Sequence, residues 1–221
     1  MKIEDFFDLS ETIVKDIFIG VEFLWEVIPK ISNFILEIGP CLPKDVYEER
    51  GAGIWIAKTA EIESTALING PLIIGPKAEI RHCAYIRGSA IVGEKAVVGN
   101  SSELKNSILF NHAQIPHFNY VGDSILGYRA HMGAGSIASN LKSDKTNVSI
   151  KINGTVYKTG LRKLGAILGD CVEIGCGSVL NPGTIIGKNS RVYPLSAVRG
   201  YIPENSIYKK QGETVNIILN T

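Results

Sequence analysis

The 221-residue chain is 45% hydrophobic and 20% charged, with 23 Lys and Arg against 22 Asp and Glu. It is long enough to bury a core, and a net charge of +1 gives no general electrostatic reason to hold nucleic acid or an anionic membrane. Cys41, Cys83, Cys171 and Cys176 form neither a dense disulfide pattern nor a CxxC pair, which predicts reduced thiols and no structural zinc.

Residues 1–45 read as a helical N-terminal cap. Val14, Ile17, Phe18, Val21, Leu24, Trp25 and Ile28 are spaced for one face of an amphipathic helix, with Glu22, Glu26 and Lys30 opposite. Pro29 should kink or divide that helix, and Gly39-Pro40 should end it. The expected role is to cover the first coil of the domain beyond residue 45 or to form an oligomer contact. No uncharged run reaches the ~18 residues of a membrane span. The start of the chain also lacks a signal-peptide pattern, so a cytoplasmic location is expected.

From about Ile54 to about Tyr201 the chain repeats with a period of six. Ile56, Ile62, Ile68, Ile74, Ile80, Ile86, Val92, Val98 and Leu104 are aliphatic at every sixth position, and Leu168, Ile174, Leu180, Ile186, Val192 and Val198 resume the pattern. Four residues after each of the first eight stands a small residue, from Ala60 to Ser102, except at Leu72. This period fits neither a helix nor a simple strand, but it fits short strands joined by tight corners. Three hexads make one triangular coil, so the predicted fold is all-β, a left-handed parallel β-helix over 46–208, with a tail at 209–221. Gly75, Gly93, Gly99, Gly169, Gly175 and Gly187, each next to the aliphatic position, are expected to supply positive φ. Stacked coils share stability with their neighbours and need capped ends.

Function should concentrate where the repeat breaks. The frame slips by one residue at Leu109, Ile115 and Val121 and again at Leu126 and Met132, in a stretch holding His112, His117 and His131. A second break is an insertion at about 141–164. Val148–Ile152 and Thr155–Lys158 around Asn153-Gly154 predict a β-hairpin with a type I′ turn, either surface decoration or a flap over a pocket.

Three ordered blocks are more specific than the repeat itself: Glu103-Leu104-Lys105, Pro116-His117-Phe118-Asn119-Tyr120, and Gly133-Ala134-Gly135 with Asn140. Here the chain resembles the acetyltransferase domain of bifunctional glucosamine-1-phosphate acetyltransferase/N-acetylglucosamine-1-phosphate uridylyltransferases. It is more similar still to the C-terminal hexapeptide domain of archaeal-type sugar-1-phosphate nucleotidylyltransferases, which also have the hairpin and a segment like Thr159–Ala166. The likeness covers about 54–208. It implies acetyl-CoA as cosubstrate, a homotrimer with sites between adjacent prisms, and no metal in the acetyl transfer. It assigns His117 as the catalytic base, a role that an imidazole titrating near neutrality can fill. Arg87 and Lys105 match the residues that hold the sugar phosphate, and Tyr120 and Asn140 match neutral groups around the sugar. His131 stands where the bifunctional family has asparagine, and Leu141 where it has tyrosine, which leaves the amino sugar open between glucosamine and galactosamine 1-phosphate. In the coenzyme region, Cys176 and Pro194 replace small residues.

Two other readings stand beside this one. A γ-type carbonic anhydrase shares the fold, and His112 and His117 have the spacing of its later pair. His82, however, lies five hexads before His112, which is not a whole number of coils. The other reading is a non-catalytic partner of a separate nucleotidylyltransferase chain. The first 50 residues are too few for a nucleotide-transfer domain and lack its Gly-rich phosphate loop, so the chain is not expected to form a sugar nucleotide by itself.

Overall fold

The computed structural model describes residues 2–152, 154–210 and 212–217. Strands of two to five residues, each followed by a tight corner, stack into a left-handed parallel β-helix of triangular section. Among the described residues its sides are sheets of nine, seven and nine strands. Face A carries Ile54–Ala57, Leu72–Ile74, Ala90–Val92, Ser107–Leu109, Ile125–Leu126, Ala166–Leu168, Thr184–Ile186 and Tyr201–Ile202. Face B includes Val97–Asn100, Gln114–His117 and His131–Met132, and face C includes Tyr85–Ile86, Glu103–Lys105, Tyr120–Gly122 and Ile137–Ala138. The aliphatic row fills the prism: Ile56, Ile74, Ile80, Ile86, Val92, Val98 and Leu104 are buried together with Ala78, Ala84, Ala90 and Ala96.

The glycines next to the aliphatic positions do a different job from the one predicted. Gly75, Gly93, Gly99, Gly169, Gly175 and Gly187 do not adopt positive φ. The left-handed residue stands two places later, at Lys77, Lys95, Ser101, Cys171, Gly177 and Asn189. The glycines are required instead by close approach of the next coil: a Cβ on Gly75 would lie 2.9 Å from the Glu94 amide, and one on Gly99 would collide with the Pro116 carbonyl.

The frame slips are shortened corners. Ile54, Leu72 and Ala90 pair at intervals of 18 residues, but Ala90 pairs with Ser107 and Ile108 with Ile125, intervals of 17. Both missing residues come from the C-to-A corner, at Lys105–Ser107 and Gly122–Ser124. The next crossing of that corner takes the insertion, so that Ile125 pairs with Ile167, an interval of 42. Ser149–Ile152 and Thr155–Lys158 pair as the predicted antiparallel hairpin, while the turn type depends on Asn153, which lies outside the described residues.

The N-terminal segment differs most from expectation. Residues 14–28 form 3-10 turns rather than one α-helix, and the α-helix stands after Pro29, at Ile31–Ile38. The segment runs as a strap along face A rather than over the end of the prism. It begins beside the last coils, where Phe6 packs on Tyr201 at 6.4 Å and the Asp170 amide donates to the Phe6 carbonyl. It passes Phe110, whose ring lies 4.9 Å from that of Phe7, and ends with Gly39 against Trp55 at the first coil. Beneath it lies an outward apolar ladder, Ile73, Ile91, Ile108, Ile125, Ile167 and Ile185, all fully buried. Buried aliphatic side chains of this kind contribute about 1.5–3 kcal/mol each. At the other end of the chain, Ser206–Lys210 adds to face B and turns back as Glu213–Asn216, so residues 209, 210 and 213–216 belong to a closing hairpin. Tyr208 plugs the last coil, its hydroxyl donating to the Ala197 carbonyl.

Candidate active site

Two edges of the prism frame the sequence-predicted residues. Along the C-to-A edge, Glu103–Lys105 pairs with Tyr120–Gly122, and Val121 with Ala138, so Arg87, Lys105, Gly122 and Asn140 stand on successive coils. The shortened corner brings Asp123 to the centre of this group. Its side chain, 5% exposed, accepts from Lys105 Nζ at 3.2 Å, from Asn106 Nδ2 at 2.7 Å and from Asn140 Nδ2. Sequence reading assigned Asp123 no role. The signal was the one-residue slip at Val121–Leu126, which marks a corner drawn inward.

Arg87 Nη1 donates to Glu103 Oε1 at 2.8 Å. That hydrogen bond and the Glu103 charge hold the guanidinium above its ordinary range. Tyr120 lies half-buried on face C beside Glu103, its hydroxyl reaching toward Gly122 and the Asn140 amide. Burial pushes the phenol up, and the carboxylates of Glu103 and Asp123 add to the shift. A phenol raised in this way stays a neutral donor at physiological pH.

His117 occupies the B-to-C edge, at the end of Gln114–His117 and three residues before Tyr120. Its side chain is exposed, and its ring makes no hydrogen bond among the described residues. Its backbone is held firmly. Buried Asn119 accepts from the His117 amide at 3.0 Å and donates through Nδ2 to the Gly133 carbonyl at 2.9 Å and to Ser136 Oγ at 3.1 Å. Asn119 therefore ties the His117 corner to the corner of the next coil. Up the same edge, Gly135 N donates to the His117 carbonyl, Gly177 N to Ala134 and Leu195 N to Cys176, which puts Ala134, Cys176 and Pro194 in line above His117. At about 4.8 Å per coil, Cys176 and Pro194 lie roughly 10 and 14 Å further along.

His131 is not brought to this group within one chain. It lies on face B between Gln114 and Glu173, and its Nδ1 is 2.9 Å from Glu173 Oε2. The histidines of the hydratase reading also separate. His112 sits at the A-to-B corner against Tyr128, while His82 sits at the B-to-C corner with Nδ1 2.8 Å from Thr65 Oγ1. All four cysteines are free thiols.

The GMPPB C-terminal domain family matches residues 68–202, which is more than half of the chain and takes in both edges. The chain belongs to this family. As a GMPPB C-terminal domain protein it is 42% identical over 115 residues to the "Bifunctional protein GlmU" of Methanococcus maripaludis, covering 52% of this chain and 28% of that one. It is 36% identical over 109 residues to a bifunctional sugar-1-phosphate nucleotidylyltransferase/acetyltransferase of Sulfurisphaera tokodaii, covering 49% and 27%. The chain thus matches little more than a quarter of the length of these relatives. Among solved structures, PerB from Caulobacter crescentus, crystallised with CoA and GDP-perosamine, matches with a TM-score of 0.42 and 15% identity over 67% of this chain and 53% of that one. No helix among the described residues of this GMPPB C-terminal domain protein is long and apolar enough to cross a membrane.

Proposed function

We propose that the protein transfers acetyl from acetyl-CoA to the amine of an amino-sugar phosphate, with glucosamine and galactosamine 1-phosphate as the first acceptors to test. The observation that carries this reading is the arrangement across face C: an exposed imidazole at His117 on the B-to-C edge, with no ring partner among the described residues, the neutral phenol of Tyr120 on the face, and a carboxamide and two anchored cations on the C-to-A edge. The free amine of the sugar attacks the thioester carbonyl. A nitrogen–carbon bond forms, His117 accepts the proton from that nitrogen, a main-chain amide receives the developing oxyanion, and the carbon–sulfur bond breaks to release CoA thiolate.

Arg87 and Lys105 would hold the phosphate. Glu103 and Asp123 take only part of the donor capacity of these cations and fix their direction, leaving N–H groups free for phosphate oxygens. Tyr120 and Asn140 would orient the sugar hydroxyls. The coenzyme would run up the B-to-C edge past Cys176 and Pro194. Face A is closed by the strap and the hairpin, so faces B and C are left for assembly; exposed Ile137 and Val179 lie on face C, and exposed Phe118 and Leu195 on the edge it shares with face B. A homotrimer packed on these faces would bring face B of one copy, with His131, toward face C of the next. A separate nucleotidylyltransferase chain is a partner to be sought.

The test is thiol release from acetyl-CoA with amino-sugar 1-phosphates and their unphosphorylated sugars. The phosphorylated amines are expected to turn over and the free sugars to be poor substrates. Absence of thiol release with every phosphorylated amine would leave the non-catalytic reading in its place.

A further inference from the structure

The insertion is much more basic than the chain around it. Residues 139–165 hold six Lys and Arg and only Asp144 as counter-charge, in a chain whose net charge is +1. The hairpin's alternation divides its residues: Ile150 and Ile152 turn down onto the face A cluster, while Ser149 and Lys151 turn the other way. On that side they roof a cavity of about 530 Å³, whose floor is the C-to-A edge at Ser139, Asn181 and Arg199. The Lys151 carbonyl lies 3.9 Å from where a Gly200 Cβ would stand, so the hairpin runs beside the residue after Arg199. Lys142 on the rim is paired with Asp144 at 3.2 Å, but Lys151 and Arg199 have no carboxylate partner among the described residues. Asp144, the one carboxylate lining the cavity, is engaged by Lys142, so Lys151 and Arg199 bring two further positive charges that an anionic ligand would balance.

We propose that this cavity is a binding site for a diphosphate-bearing small molecule, held by Lys151 and Arg199 with the hydroxyls of Ser139, Ser143 and Ser149 as further donors. Its size lies in the range of ligand pockets and exceeds what one phosphate fills. A nucleoside diphosphate and coenzyme A both carry the required group. The nucleoside diphosphate is favoured, because the cavity opens on the C-to-A edge whereas the coenzyme is assigned to the opposite margin of face C. The site does not depend on acetyl transfer.

Calorimetric titration of the full chain with inorganic pyrophosphate, UDP and CoA tests it. The comparison is between the parent and the double variant Lys151→Gln/Arg199→Gln, both sites being exposed. Pyrophosphate and UDP are expected to bind the parent, more weakly as salt is raised, and at least about tenfold more weakly to the double variant. Unchanged CoA binding assigns the site to a nucleotide, and a parallel loss assigns it to the coenzyme's diphosphate. His117→Ala should bind UDP as the parent does, which separates this site from the reaction. Equal binding of all three by parent and double variant, or no pyrophosphate or UDP binding by the parent at low salt, would overturn the proposal.

Discussion

At the scale of single residues, the candidate site rests on two buried side chains that hold others in place. Asn119 links two corners at once through its amide, and Asp123 gathers three donors from the coils on either side of its own. Asn119→Ala would leave the His117 amide and the Gly133 carbonyl without these partners, at a cost of about 1–3 kcal/mol. Urea denaturation is expected to show that loss. In an acetyl-transfer assay the same variant should lower kcat more than it raises KM, because the proposed base, His117, is displaced while the proposed phosphate anchors, Arg87 and Lys105, remain. A variant with parental stability and kcat would remove Asn119 from the positioning of His117.

At the scale of elements, the strap is the part whose job is least like a conventional cap. Together with the hairpin's Val148, Ile150 and Ile152, its aromatic residues cover a ladder that recurs once per coil, so deleting 2–42 should uncover much of the row from Ile73 to Ile185. The truncated chain is expected to aggregate and to melt at a lower temperature than the parent. A soluble truncated protein with parental melting would refute the covering role.

The ladder was legible in the sequence as an aliphatic pair once per coil, at Ile73-Ile74, Ile91-Val92, Ile108-Leu109, Ile125-Leu126, Ile167-Leu168 and Ile185-Ile186. The inner member revealed the prism, and the outer member marked the covered face, a signal that the six-residue period alone does not separate. The hairpin was readable because alternation and a turn dipeptide are local. The apolar spacing of residues 14–28 suits a helix face, and Pro29 does divide the segment. Anchors distributed over many coils impose short 3-10 turns there instead, since tertiary packing overrides local periodicity. The glycines were assigned to positive φ on residue type alone, whereas the coil spacing that requires them is a non-local constraint.

At the scale of the molecule, faces B and C meet along the edge that carries His117, and the third face is closed by the chain's own N-terminus. Under the proposed function, assembly through the two open faces would complete a pocket whose proposed base, phosphate anchors and sugar-orienting groups border face C. The proposed function stands or falls on His117 as the general base of acetyl transfer in such an assembly. The deciding comparison sets His117→Ala against the parent for acetylation of an amino-sugar 1-phosphate, with sedimentation and thermal melting on the same samples. Both proteins should sediment as trimers and melt alike, since the exposed ring adds little to the core, while kcat/KM falls about 10²–10⁴-fold. A variant that acetylates the amine at the parental rate would rule out His117 as the base.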